Sequence, residues 1–590
     1  MPSISRTFTS RDLWARSSWL RQRLGPNLFF DGIVLVLLWL VLIPLGQLLL
    51  NSFRTGHPAV PSPLTLKNYV VAAGSPLTYE MIWNTFVFAG AGTLLTVSIA
   101  ILFAWLTERT DMPGRNLAWS LLLIPMAMPG FLFSIAWIFL LDSRIGLVNM
   151  WLRSFLSLMG IDLETGPLNI YSMAGMIYLD GLRGVTTVFL LIVGAFRAMD
   201  PNLEEAGRIS GASAWTTFSR ITLPTLLPAI LAAFLYSFIS SMESFEAPWL
   251  VGLPARIYVY STMIYFSTRL MPSYGLAATF AVSYCLIAIV LVVAYQRIVL
   301  KQAERFATVT GKGYRPRVAR LGRLRWPAFG LFVGYFFLAV ILPLFILLWA
   351  ALSPSYQQPS WEGLSKLTLV HFRHVFMEPD IWQSTLNTIV ITITTATLTV
   401  LLSFFVSWIV VRTNLRGRFV LDGLTFLAHA IPGIIIALAF IFVYLQPPFR
   451  SLGLYGTVWI ISLALITQYM AFTTRTTNAA ITQVHKELEE VSRVSGVGRI
   501  TTLTRVTLPL IAPAFAAAWI WVAAHAVRSF SIPVMLASEG NWTLSVILWR
   551  IWDEQNALTT ASALGVIFIL SVAVLTFAGR RLIVKAFSFE

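Results

Sequence analysis

Charged side chains that interrupt apolar runs are the residues best placed to do chemistry in this chain. Glu243 and Glu246 close one such run in Ser-Met-Glu-Ser-Phe-Glu-Ala-Pro, and Arg528 and Ser531 follow another in Val-Arg-Ser-Phe-Ser-Ile-Pro. Ionisable groups at membrane depth are costly and mark pathways or tight pairs. At an offset of 285 Glu243 aligns with Arg528 and Glu246 with Ser531, so the four are candidates for a translocation path or gate, and an interfacial ion pair of Glu243 with Arg528 across the halves is the plainer alternative. Asp180 and Arg183, three apart on one helix face, are expected to pair with each other. Other chemistry is not encoded. No Gly-x-x-x-x-Gly-Lys-[Ser/Thr] phosphate loop occurs, and Gly311-Lys312-Gly313 lacks its spacing. The six His show no metal-ligand spacing, no nucleophile–base set can be argued, and the lone Cys285 forms no internal disulfide. His429 and His525 sit in apolar runs, where a helix–helix hydrogen bond is expected. The chain is expected to bind no metal or cofactor and to hydrolyse no ATP itself.

The elements around these residues are set by composition. Of 590 residues, 57% are hydrophobic and 12% charged, with mean hydropathy +0.76. Soluble domains carry about 25% charged residues, so a water-soluble multidomain enzyme is excluded. A helix crossing lipid needs about 20 apolar residues, because lipid satisfies no backbone polar group. Twelve such segments are expected, at 32–53, 84–107, 117–141, 171–196, 221–242, 270–296, 326–361, 381–411, 423–449, 451–474, 506–527 and 555–579. The fold class is thus an all-α polytopic membrane protein. The net charge of +16 concentrates before the first span (Arg6, Arg11, Arg16, Arg21, Arg23), across 297–325, and in Arg580, Arg581 and Lys585. The positive-inside rule makes all three segments cytoplasmic, the N- and C-termini included, which excludes a nucleic-acid reading of the charge. The first apolar run is too long for a signal peptide and is expected to be a retained helix.

The chain repeats itself. Asn84-Thr85 recurs as Asn387-Thr388, Arg109-Thr110 with Gly114-Arg115 as Arg412-Thr413 with Gly417-Arg418, and Pro129-Gly130 as Pro432-Gly433, all at an offset of 303. Gly211 recurs as Gly496 at an offset of 285, so the first half carries 18 extra residues, expected in the outward loop around 142–170. Two six-span halves, both starting inside, are parallel repeats with a substrate path expected at their interface. The expected domains are 1–300 and 326–590, joined by a basic cytoplasmic linker at 301–325.

Between the fourth and fifth spans of each half lies a cytoplasmic loop. The first holds Asp200-Pro201, Glu204-Glu205-Ala206-Gly207, Gly211 and Ile221-x-Leu223-Pro224; the second holds Glu489-Glu490-Val491, Gly496 and Val506-x-Leu508-Pro509. Asp200 and Pro201 are good helix starters, and acids in a first turn suit the helix dipole. A short helix broken near Gly211 is expected, then a second running into Pro224. These loops resemble the cytoplasmic signature of inner-membrane permeases of binding-protein-dependent ABC importers: Glu-Ala-Ala, three residues, Gly, nine residues, Ile-x-Leu-Pro. The first loop fits at Glu205, Ala206, Gly207, Gly211, Ile221, Leu223 and Pro224. The second fits at Glu490, Gly496, Leu508 and Pro509, with Val491 and Val506 as departures.

The resemblance implies a type I importer permease fold with both permease domains fused in one chain of a bacterial inner (plasma) membrane. Each loop would dock as a coupling helix on a separate cytoplasmic ATPase, two copies of which would carry ATP and Mg, while a periplasmic solute-binding protein delivers the solute. The fused layout and the Glu243–Pro254 stretch resemble ferric-iron permeases in particular; thiamine, aminoethylphosphonate and polyamine importers are alternatives. In another class, a twelve-span proton-coupled carrier is the rival, because Arg109-Thr110-Asp111 with Gly114-Arg115 is similar to a carrier loop signature. An ion channel lacks a pore-loop filter here.

Overall fold

A computed structural model describes residues 30–305, 319–415, 417–429 and 431–587. The helices of the first half are α1 (Phe30–Ser52), α2 (Pro76–Arg109), α3 (Arg115–Ala127), α4 (Gly130–Leu141), α5 (Leu147–Leu158), α6 (Met173–Ala198), α7 (Asn202–Ile209), α8 (Ala214–Glu243) and α9 (Tyr274–Arg305). The second half has α10 (Gly322–Leu352), α11 (Pro379–Arg412), α12 (Arg418–His429), α13 (Gly433–Tyr444), α14 (Val458–Gln483), α15 (Lys486–Val494), α16 (Leu503–Val527) and α17 (Leu558–Phe587). Helices α2 and α11 match end to end at the offset of 303, and α6 and α14 at 285. The amphipathic α5 occupies the stretch where the offset changes.

Each of the twelve expected segments falls on a helix or a helix pair. Among the described residues, nine helices are long and apolar enough to cross a membrane, and a tenth span counts if α3 and α4 are one. That pair corrects the expectation of a straight helix at 117–141, because the run bends by 96°. Met128 and Pro129 are both extended there, as the clash between a proline ring and the preceding residue requires. Pro432 takes the same conformation before α13. Most of the 301–325 linker and the first basic segment lie outside the described residues.

Proline also shapes the long helices. Pro44, Pro224, Pro343 and Pro509 each follow a π turn, in which the N–H of the preceding residue (Ile43, Leu223, Leu342, Leu508) bonds a carbonyl five residues back. A proline offers no N–H to the carbonyl four residues back, and one widened turn lets the helix continue past it. The Leu-Pro element of the sequence motif is therefore a bulge inside a continuous helix, and α8 and α16 run through it.

Polar contacts between helices follow the same repeat. Helices α2 and α6 approach closely and in parallel: the Thr96 hydroxyl donates to the Gly181 carbonyl at 2.9 Å. In the second half Ser403 and Thr473 join α11 to α14 at 2.5 Å. Small residues and hydroxyls are what lipid-embedded helices use to meet. The halves are interleaved, with α1 packed on α13 and α10 packed on α4. Asn84 and Thr85 hold segment 258–260 through the Tyr258 carbonyl (3.3 Å) and the Tyr260 N–H (3.1 Å). Asn387 and Thr388 hold 540–544 in the same way, which accounts for the first repeat seen in the sequence.

Candidate functional site

The two loops between the fourth and fifth spans are built on one plan. In the first, Glu204 points inward and is buried, accepting a hydrogen bond from the Thr222 hydroxyl at 2.7 Å and facing Arg109 Nε at 3.7 Å. The Arg109 guanidinium also donates to the carbonyls of Phe196 (2.6 Å) and Met199 (3.1 Å), the last turn of α6. In the second, Arg412 Nε donates to Glu489 at 3.1 Å and its terminal nitrogen donates to the carbonyls of Ile481 (2.8 Å) and Val484 (2.5 Å). The Thr507 hydroxyl completes that set with a 3.1 Å bond to Glu489. Every member but the arginines recurs at the offset of 285, and the arginines recur at 303. Each clamp thus joins the end of α2 or α11, the end of α6 or α14, the short loop helix and the π turn of the next span. A buried guanidinium is tolerable only with its charge paired, and each clamp pairs one with a carboxylate.

With Glu204 and Glu489 turned inward, the short helices show water a different face. Leu203, Ala206 and Ile209 are exposed on α7, and Leu488, Val491 and Val494 on α15, at the spacing i, i+3, i+6. Ile209 and Val494 are 87% and 88% exposed. Glu205 is half-buried and Glu490 exposed. Gly207 is pressed against Ile221, whose Cδ1 would lie 2.6 Å from an added Cβ. Gly211 and Gly496 hold φ of +83° and +78° in open space, the left-handed turn that glycine enters without strain. Pro224 and Pro509 follow the π turns described above.

The charged residues between the halves are placed otherwise than expected. Arg183 pairs with Glu246, not with Asp180, and Asp180 accepts from the Ser241 hydroxyl of α8 at 2.5 Å. The correction has a geometric cause. The chain turns at Ser244, after α8, and brings Glu246 over the Pro129–Gly130 bend, where a Cβ on Gly130 would collide with both Arg183 and Glu246. Around this pair a small cavity is lined by Gly130, Ser134, Asp180, Ser244 and Ala247.

Glu243 and Arg528 do not meet across the pseudo-twofold. Arg528 donates to the Met126 carbonyl and to His525 Nε2 at 2.7 Å. His525 Nδ1 lies 2.8 Å from the Trp521 carbonyl of its own helix, so Nδ1 carries the hydrogen and Nε2 accepts. The expected helix–helix bond of His525 is thus within one helix. Ser531 is the counterpart of Glu246, and Gln468 of Arg183. A Cβ on Gly433 would lie 2.9 Å from Gln468 Nε2 and 3.1 Å from Ser531 Oγ. The same bend carries an ion pair in one half and an amide with a hydroxyl in the other.

Sequence reasoning passed over the residue between the two acids. Phe245 and its counterpart Phe530 are buried with ring centroids 6.0 Å apart, and Phe131 stacks on Phe530 at 5.2 Å. The signal was the Ser-Phe shared by both segments. Aromatic pairs at these separations contribute about 0.5–1.5 kcal/mol beyond their buried area.

Comparison with known proteins agrees with this architecture. The family model for the binding-protein-dependent transport system inner membrane component matches residues 97–303 and 411–588. The chain belongs to this family. It is a transmembrane permease subunit of an ABC importer. It is similar to the ferric transport system permease protein FbpB of Actinobacillus pleuropneumoniae, 24% identical over 92% of this chain and 77% of that one. It is also similar to the Fe(3+)-transport system permease protein FbpB 2 of Haemophilus influenzae, 23% identical over 85% of this chain and 89% of that one. A solved bacterial transporter for the acidic polysaccharide alginate aligns with 45% of this permease and 98% of its own chain, 18% identical with TM-score 0.37. The carrier-like stretch at 109–115 has local roles: Arg109 is in the clamp, and the Asp111 carboxylate accepts the Leu321 N–H at 2.7 Å.

Proposed function

We propose that this permease carries ferric iron from a periplasmic binding protein to the cytoplasm, driven by a separate ATPase bound in two copies. The observation that carries the reading is the duplicated clamp with its exposed apolar ridge. Apolar side chains held out in water at one face of a short helix mark a docking surface. The buried clamp ties that surface rigidly to three membrane elements. ATP and Mg belong to the ATPase on this reading, with α7 and α15 as the coupling helices. Glu204, Glu489 and the glycines position them, and Glu205 and Glu490 face the partner. Glu243, Glu246, Arg528 and Ser531 line the path. The iron cargo is supported by similarity to ferric permeases across most of the chain. The termini and the linker at 301–325 are cytoplasmic by their basic charge, which divides the chain into permease domains at 1–300 and 326–590.

The purified permease in lipid is expected to hydrolyse no ATP. Adding the ATPase and the iron-loaded binding protein to the same vesicles should start ATP-dependent uptake of labelled iron. Hydrolysis by the lone chain, or uptake driven by a proton gradient without ATP, would overturn this reading in favour of a carrier.

A further inference from the structure

Helix α5, Leu147–Leu158, lies in the stretch by which the first half exceeds the second. An amphipathic helix on a soluble surface turns its apolar stripe inward. Here Leu147 at the helix start is buried, but beyond it the polar Asn149 and Arg153 turn inward and the larger apolar side chains turn outward. Asn149 is fully buried, its amide donating to the carbonyls of Leu141, Asp142 and Leu168 at 2.9, 3.0 and 2.6 Å. Its Oδ1 accepts the Leu168 N–H at 3.0 Å. One turn on, Arg153 donates to the carbonyls of Arg144 and Glu164, each at 3.0 Å. The outward face holds Trp151, Phe155 and Leu158, exposed at 57%, 56% and 86%. Left in water, side chains of this size forgo about 1.5–3 kcal/mol each of burial free energy.

What covers that face follows from where the helix sits. It joins the end of α4 to the start of α6, the edge at which two membrane-embedded helices leave the bilayer. Helix α2 runs parallel to α6, since Thr96 bonds Gly181 and Arg109 bonds Phe196. The start of α2 therefore marks the same edge, and there Tyr79 and Trp83 are exposed. Tyr and Trp concentrate at the headgroup level of a bilayer. The outward face of α5 continues that aromatic belt and carries no charge.

We infer that α5 is an interfacial anchor lying in the plane of the bilayer, with Trp151, Phe155 and Leu158 in lipid. It pins the α4–α6 edge to one leaflet in the first half only, because the second half lacks the insertion. The inference needs the membrane placement of the helices and not the identity of the cargo.

The test uses the full chain with Cys285→Ser as background, spin-labelled in lipid vesicles at Phe155→Cys or Leu158→Cys on the apolar face and at Ser157→Cys beside it. Labels at 155 and 158 are expected to collide more with oxygen than with a water-soluble nickel chelate, at a depth of about 5–10 Å below the headgroup boundary. The label at 157 should show the reverse order, and adding the solute-binding protein should leave all three unchanged. Equal chelate access at all three positions would place the helix in water and overturn the inference. Loss of access at 155 and 158 only on adding the binding protein would overturn it too, because the face would then dock protein. If one apolar-face variant fails to fold, the other still decides.

Discussion

Arg109→Met is expected to destabilise the permease by about 3–5 kcal/mol, because it strands the buried Glu204 carboxylate without its counter-charge. The carbonyls of Phe196 and Met199 lose a charged donor at the same time. Glu204→Gln should cost less: the amide can still bond Thr222, and Arg109 keeps both carbonyls. The double variant Arg109→Met with Glu204→Leu should be more stable than Arg109→Met alone, since two apolar groups leave no buried charge. Uptake should not recover in it, because the link from α7 to α6 is gone. Thermal unfolding of the four forms in detergent, with uptake measured in vesicles, separates these effects. If the double variant is no more stable than Arg109→Met alone, Glu204 does not depend on Arg109 for its charge and the two residues form no clamp. The same series at Arg412 and Glu489 should show smaller losses, because Glu489 is less deeply buried than Glu204.

The second large effect is expected at the ion pair of the first half. Glu246→Ser alone leaves Arg183 beside the Gly130 bend without its partner, and should cost about 1.5–3 kcal/mol, the range for hydrogen bonds to charged groups. Adding Arg183→Gln gives the first half the Gln and Ser that the second half already uses at Gln468, Ser531 and Gly433. This double variant should regain most of the stability. Its rate of iron uptake should stay low if the proposed path runs past this bend, because the ion pair is one of the charged features by which the two halves differ. Unfolding temperatures and initial uptake rates measure the two effects separately. A double variant no more stable than Glu246→Ser would mean that Arg183 draws its stability from elsewhere.

Much of the architecture was legible because lipid enforces it. Apolar length led to a helix or helix pair at each segment, though nine, or ten with the bent pair, are long and apolar enough to cross a membrane among the described residues. The offsets of 303 and 285 paired α2 with α11 and α6 with α14. The bend at Pro129 was not legible in the apolar run, since hydropathy is blind to direction. The loop motif marked Glu205, yet the buried acid is Glu204, one residue earlier. That choice is made by Arg109, which lies far away in sequence and whose repeat was visible without its purpose. The expected Glu243–Arg528 pair failed for a related reason. An offset aligns backbones, but side chains pair with whatever the turn brings near, and the turn at Ser244 brought Glu246 to Arg183. Phe245 and Phe530 pack against each other across the halves, and only the shared Ser-Phe hinted at them.

The claim on which the account rests is that the exposed ridges of α7 and α15 are seats for the ATPase. Cross-linking measures it directly. In a Cys285→Ser background, Ala206→Cys and Val491→Cys each place one thiol on a ridge of the assembled complex in lipid. The account predicts that a short thiol-to-amine cross-linker joins each position to an ATPase subunit, and that ATP changes the yield. Thiols that stay open to a bulky water-soluble reagent in the full complex, with no cross-link at either position, would contradict it.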